Sequence, residues 1–146
     1  MALPVKRSST YTTPYNLTTP PITPTDLSGG IDTDVTLTLS NSPYLVSGNV
    51  GVAPGYTITI EPGVHIRFAS STLIVIRGHM EAVGTAAAPI VFTAADPASD
   101  DQRYWDGVHV ADDLGGTATV QYAHISNATE GLACEYRSLD IYDTVF

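Results

Sequence analysis

From Ile31 onward, apolar residues stand at every second position in short runs, and turn residues separate the runs. Val35, Leu37 and Leu39 alternate with Thr36 and Thr38. Val50 and Val52 precede a turn at Pro54-Gly55, and Ile58 and Ile60 precede another at Pro62-Gly63. Val64, Ile66 and Phe68 follow, then Leu73 and Val75, then Met80 and Ala82. Beyond a break at Gly84 come Ile90 and Phe92, Val108 and Val110, Ala118 and Val120, Leu132 and Cys134, and Leu139 and Ile141. A period of two sends successive side chains to opposite faces, so each run predicts a strand of about three to five residues with one buried face.

Short strands divided by frequent turns suit a sandwich or a solenoid. Hairpin dipeptides are nearly absent, the one example being Asp106-Gly107 just after Trp105. Val64-His65-Ile66 recurs as Val108-His109-Val110 after 44 residues, or two steps of 22, a plausible coil length for a three-sided parallel helix. These signs favour the solenoid, but periodicity alone leaves the sandwich open.

Residues 1–30 differ. They are rich in Thr and Pro and close with Gly29-Gly30. Repeated Pro removes backbone donors and biases each preceding residue to extended conformations, which predicts an extended tail. Yet Leu3, Val5, Tyr11, Tyr15, Leu17 and Ile22 make it apolar for a linker. An extended segment with apolar teeth is suited to lie along something; a plain surface linker is the competing reading.

The stretch from Tyr44 to Val64, with its Gly48-Asn49-Val50, Pro54-Gly55-Tyr56-Thr57-Ile58-Thr59-Ile60 and Glu61-Pro62-Gly63, resembles the opening coil of secreted right-handed parallel β-helix proteins of the pectate-lyase-like superfamily. Leu73 to Phe92 is similar to their next coil. Trp105-Asp106-Gly107-Val108 and Val120 to Ala128 resemble later ones. The resemblance covers roughly residues 31–146. It implies an all-β fold, a right-handed parallel β-helix solenoid of about five coils on 31–146 preceded by the tail on 1–30. It says little about activity, because adhesins, matrix proteins and enzymes share this opening coil.

Composition narrows the function. Hydrophobic residues reach 43% and charged ones only 14%, a sticky surface for a free monomer. The net charge is −9 with six basic residues, which leaves no cationic stripe for nucleic acid or for anionic membranes. No apolar run is long enough to span a bilayer, so membrane insertion is not expected. The first residues carry no apolar stretch of signal-peptide length, so export would need a removed signal or another route. Cys134 is the single cysteine, which excludes an intramolecular disulfide, and its inward phase predicts a buried, inert thiol.

Candidate chemistry is sparse. Asp96, Asp100, Asp101, Asp106, Asp112 and Asp113 gather around Trp105, and Asp100, Asp101, Asp112 and Asp113 are weak candidates for Ca²⁺. Solvated loop acids are the simpler reading, and no other cofactor is implied. Asp112-Asp113 is an unconvincing acid pair, since neighbours on a strand face opposite ways. Only an isolated Gly78-His79 matches the Gly-His element that accompanies hydrolase sites in the resembled family, and no Arg closer than Arg103 suggests a lyase base. His65 and His109 should face outward, and a metal ladder with His124 competes with three unrelated surface histidines. Tyr11, Tyr15, Tyr44, Tyr56, Tyr104 and Trp105 are sugar-stacking candidates, with Trp105 better read as cover over the core. Asn16-Leu17-Thr18 and Asn127-Ala128-Thr129 match the glycosylation pattern.

The expected function is therefore a non-enzymatic extracellular or cell-surface subunit. It would self-associate as a homo-oligomer or homopolymer, because Val35 to Leu39 can help cap one end while Leu139, Ile141, Val145 and Phe146 leave the other in strand pattern. The tail of a second copy would cover that end, unless the chain is a fragment of a longer protein. The alternative is a carbohydrate-binding or lyase-like fragment recognising surface glycans.

Overall fold

A computed structural model describes residues 23–96, 98, 103–134 and 140–146. The strands are β1 (Thr25–Ile31), β2 (Val35–Leu37), β3 (Tyr44–Val52), β4 (Thr57–Ile60), β5 (His65–Phe68), β6 (Leu73–Ile76) and β7 (His79–Val83). They continue as β8 (Ile90–Ala94), β9 (Trp105–Val110), β10 (Thr117–Gln121), β11 (Ala123–Ile125), β12 (Ala128–Cys134) and β13 (Asp140–Tyr142). All paired strands run parallel.

Three faces result. On face A, the first halves of β1 and β3 stack under β5, β8 and β11. On face B, the second halves of β1 and β3 stack under β6, β9 and β12. Face C is the five-stranded sheet β2-β4-β7-β10-β13. The chain visits A, B and C in turn, then climbs one level. This is a parallel β-helix. Its first level begins at Thr25, earlier than the boundary at residue 30 drawn from the Thr/Pro composition, because Thr25 to Leu27 already pair with Tyr44 to Val46.

Parallel stacking at about 4.8 Å puts each inward side chain over its counterpart one coil below. On face A, Tyr44, Ile66, Phe92 and Ile125 form one such column. On face B, Ile31, Val52, Ile76, Val110 and Cys134 form another, and on face C, Leu37, Ile60, Ala82, Val120 and Ile141 a third. Most of these residues are buried, and a fully buried aliphatic side chain contributes about 1.5–3 kcal/mol. The columns, not any single contact, hold the rod together.

Column stacking corrects the phase of β6. Leu73 and Val75 are half-buried, and Ile74 and Ile76 point inward at 1% and 0% exposure. Leu73 to Ile76 is apolar throughout, so alternation cannot choose its inward pair; the register that sets Ile74 over Val50 and Ile76 over Val52 does. The recurrence at 44 residues is also not a stacking of like on like. His65 lies under Val91, which lies under His124, on face A, whereas His109 stands over Val75 on face B. The coils are unequal too: Thr36, Thr59 and Glu81 stack in near-equal steps, but the step from Glu81 to Thr119 is much longer.

The largest share of the extra length lies between β8 and β9 and ends at Trp105; the corners before β8 and after β9 are longer as well. In the column Val46–Phe68–Ala94, the residue above Phe68 shrinks to Ala, and the Trp105 ring lies on Phe68 at 3.7 Å with an 11° tilt. Trp105 is fully buried and its indole N–H donates to the Ser126 carbonyl at 2.8 Å. Corners are tied by side chains of the coil below. Asp34 accepts from the Thr57 N–H at 2.9 Å, Ser42 from His65 at 2.9 Å and Asn49 from Leu73 at 3.1 Å. Gly55 and Gly63, at φ +85° and +81°, turn the two Pro-Gly corners. Leu39 does not continue β2 as an end cap; it sits in a short 3₁₀ turn, 54% exposed.

At some corners, backbone packs directly on backbone. A Cβ on Gly78 would lie 2.2 Å from the Tyr56 carbonyl oxygen, and one on Gly116 2.1 Å from that of Ile76. Gly78→Ala should therefore destabilise the protein by about 3 kcal/mol, the upper end of ordinary overpacking. Trp105→Ala should cost about 3–5 kcal/mol by leaving Phe68 uncovered. Urea unfolding measures both, and a loss under about 1 kcal/mol in either would refute the packing assigned to it.

Candidate functional site

Among the described residues, large apolar side chains are exposed at Leu39, Tyr56 and Leu114 and, consecutively along the chain, on the last described rung. Ile141 tops a face C column yet is 38% exposed, because no described residue stacks on it. Tyr142, Val145 and Phe146 beside it are 55%, 58% and 66% exposed. At the lower end, by contrast, the inward residues Ile31 and Leu37 are buried at 8% and 2%. Val145 has begun the next level: its N–H donates to Ala123 at 2.9 Å, and its carbonyl accepts from Ile125 at 2.8 Å. The Phe146 ring lies by Gly131, where an added Cβ would stand 3.4 Å from the ring, and it borders a concavity of about 290 Å³. Of the four expected end residues, Ile141 is inward on face C, Val145 takes an outward position over His124 on face A, and Phe146 lies by Gly131 of face B. Leu139 and the tail residues Leu3, Val5, Tyr11, Tyr15, Leu17 and Ile22 lie outside the described residues.

Among the described residues the acids do not converge. Asp100 and Asp101 lie outside the described residues, as does the side chain of Asp112. Asp113 is exposed in the 3₁₀ turn Asp112–Leu114, so the two neighbours are on a turn and not on the strand expected of them. Among the described residues, no group of three or more His, Cys, Asp or Glu side chains is placed to hold a metal. Tyr44 leaves the sugar-stacking candidates, since it is 4% exposed and its hydroxyl engages the backbone of Thr38. Trp105 leaves with it. Tyr56 remains, 39% exposed.

The histidines hold what periodicity missed. His65, His109 and His124 do lie on outward positions, but Val91 separates His65 from His124, and His109 is on another face. On face B, His109 Nε2 lies 3.3 Å from Glu130 Oε2, off the line of a hydrogen bond. The pair borders a groove of about 440 Å³ together with Val75, Asp113 and Cys134. Cys134 is inward in phase but only partly buried, because it tops its column. On face C, His79 bonds both Thr117 and Glu81, at 2.8 and 3.0 Å. Period two could have paired His79 with Glu81; Thr117 needed the register across the long coil.

A family model described as a pectate-lyase-like beta helix domain matches residues 29–134. The chain belongs to the pectate-lyase-like β-helix domain family. The match runs from the second half of β1 to the end of β12, the span over which the columns are built. Protein bark beetle of Drosophila melanogaster is 46% identical over 68 residues, which is 46% of this chain and 2% of that protein. The chain thus spans a small part of the curated relative it matches. No solved structure gives a significant match. For this pectate-lyase-like domain the family accounts for the coils and leaves the site to its own surface.

Glu130→Gln tests whether the His109 pair matters for stability. Both side chains are more than a third exposed, so solvent screens them, and the expected change in urea unfolding is within about 1 kcal/mol. A larger loss would mean that the groove depends on the pair for its shape.

Proposed function

We propose that this β-helix domain is a structural module of an extracellular or cell-surface assembly, in which copies associate end to end through the upper rung. The observation that carries the reading is the exposure of Ile141, Tyr142, Val145 and Phe146 on the last described rung, where Ile141 leaves a face C column uncovered. Exposed apolar side chains beside strand edges are suited to strand addition: main-chain hydrogen bonds supply affinity and side-chain pockets supply register. The partner is a second copy, whose N-terminal segment has a Pro/Thr-rich composition that favours extended backbone and carries the apolar teeth Leu3, Val5, Tyr11, Tyr15, Leu17 and Ile22. A head-to-tail contact that does not close propagates into a filament. Assembly requires no reaction and no cofactor.

The net charge of −9 opposes association of like copies, so screening should promote it. Light scattering and negative-stain electron microscopy should show polymers that lengthen with salt. Val145→Asp combined with Phe146→Asp should leave monomers, as should removal of residues 1–22. A wild-type chain that stays monomeric across concentration and salt overturns the reading. So does assembly that is indifferent to both changes.

A second reading rests on the face B groove, where the His109 and Glu130 pair and Asp113 line about 440 Å³. Polar side chains over an aliphatic floor suit a glycan. Retention on a polysaccharide panel that Glu130→Gln weakens would favour it, and silence across the panel would remove it.

A further inference from the structure

His79 lies on the outer surface of face C, within hydrogen-bond distance of two groups at once. Its Nδ1 is 2.8 Å from Oγ1 of Thr117 on β10, and its Nε2 is 3.0 Å from Oε2 of Glu81 on β7. The partners fix the tautomer. An ionised carboxylate only accepts, so Nε2 carries the hydrogen and donates it to Glu81. Nδ1 then offers a lone pair, and the Thr117 hydroxyl donates to it. The result is a hydroxyl whose proton already points at a base, and a base oriented by an acid.

That order is what an activated nucleophile requires: hydroxyl and base within about 2.6–3.2 Å, and a third group holding the base in its tautomer. We propose that Thr117, His79 and Glu81 form a nucleophilic acyl-transfer site for small esters. Its placement follows from the coil geometry. Thr57, His79 and Thr117 share one outward column, and Glu81 stands two residues along from His79, on the same side of the sheet. Thr117 is exposed, while the His79 and Glu81 side chains are 35% and 43% exposed, so the relay is accessible without being fully solvated.

A groove opens beside it. Tyr56, Gly78 and Gly115 line it beside His79 and Thr117. Gly78 has no room for a side chain, since its Cβ would meet the Tyr56 carbonyl. Its volume of about 240 Å³ falls below the roughly 300–1,000 Å³ of drug-sized pockets, which suits a short acyl group. The other histidine–glutamate pair makes the contrast: His109 Nε2 has no hydrogen-bond partner, so no comparable relay forms there.

In the first step Thr117 Oγ1 attacks the ester carbonyl carbon as its proton passes to His79 Nδ1. The imidazolium so formed stays hydrogen-bonded to Glu81. The tetrahedral adduct collapses, the bond to the leaving oxygen breaks, and that oxygen takes the proton from Nδ1 and departs as the alcohol. Water then attacks the acyl-threonine while His79 accepts its proton. Collapse releases the carboxylic acid and returns a proton to Oγ1. The sum is ester plus water giving alcohol plus acid.

The test uses the full chain with 4-nitrophenyl acetate, following nitrophenol release and mapping the acetyl group by peptide mass spectrometry. The expected result is an adduct on Thr117 and a rate that rises with pH as the base form of one group. Thr117→Val and His79→Gln should each lower the rate about 100-fold, the lower end for loss of a general base, and Thr117→Ser should retain it. Glu81→Gln should lower it less and alter its pH profile. Matching circular dichroism and unfolding midpoints show that these surface variants remain folded. Equal rates in the wild type and Thr117→Val overturn the proposal, as does acetylation confined to other residues.

Discussion

Every part of this protein answers to the vertical spacing of its coils. Parallel strands about 4.8 Å apart force each inward side chain onto the one below, so the shape of a residue is tested by partners a full coil away in sequence. The column Val46–Phe68–Ala94 shows the constraint at work: the residue above the ring shrinks, and Trp105 arrives from the adjoining corner to fill the space. Where two corners come together with no room between them, the residue is Gly78 or Gly116. The fold tolerates a longer coil because the strands on each face keep their register while the connections between them lengthen.

The same spacing organises the outer surface. Outward residues stack as strictly as inward ones, so a β-helix turns distant polar residues into columns at hydrogen-bonding separation. Thr57, His79 and Thr117 are brought together in this way. Stacking also makes the rod's end different from its sides. A side face is finished once its columns are filled, whereas on the last described rung the inward Ile141 is 38% exposed. The end and the face C groove are separate consequences of one geometry, and neither needs the other.

The sequence by itself determined the class of fold. Alternation in Val50–Val52, Ile58–Ile60 and Ile66–Phe68, with Pro-Gly at two corners, marks short one-faced strands, and the resemblance from Tyr44 to Val64 points to a parallel β-helix. Most inward residues were legible for the same reason, since a period of two needs no partner to be read. Only the tertiary structure decided the phase of Leu73 to Ile76, where four apolar residues in a row give no alternation to follow. It also decided which residues meet across coils. The 44-residue recurrence left open whether His65 and His109 stack or are unrelated surface residues; coil lengths differ, and the register sets His109 over Val75 and Thr117 over His79. Register is a property of the stacked backbone; local sequence carries the period, and only the stack carries the alignment.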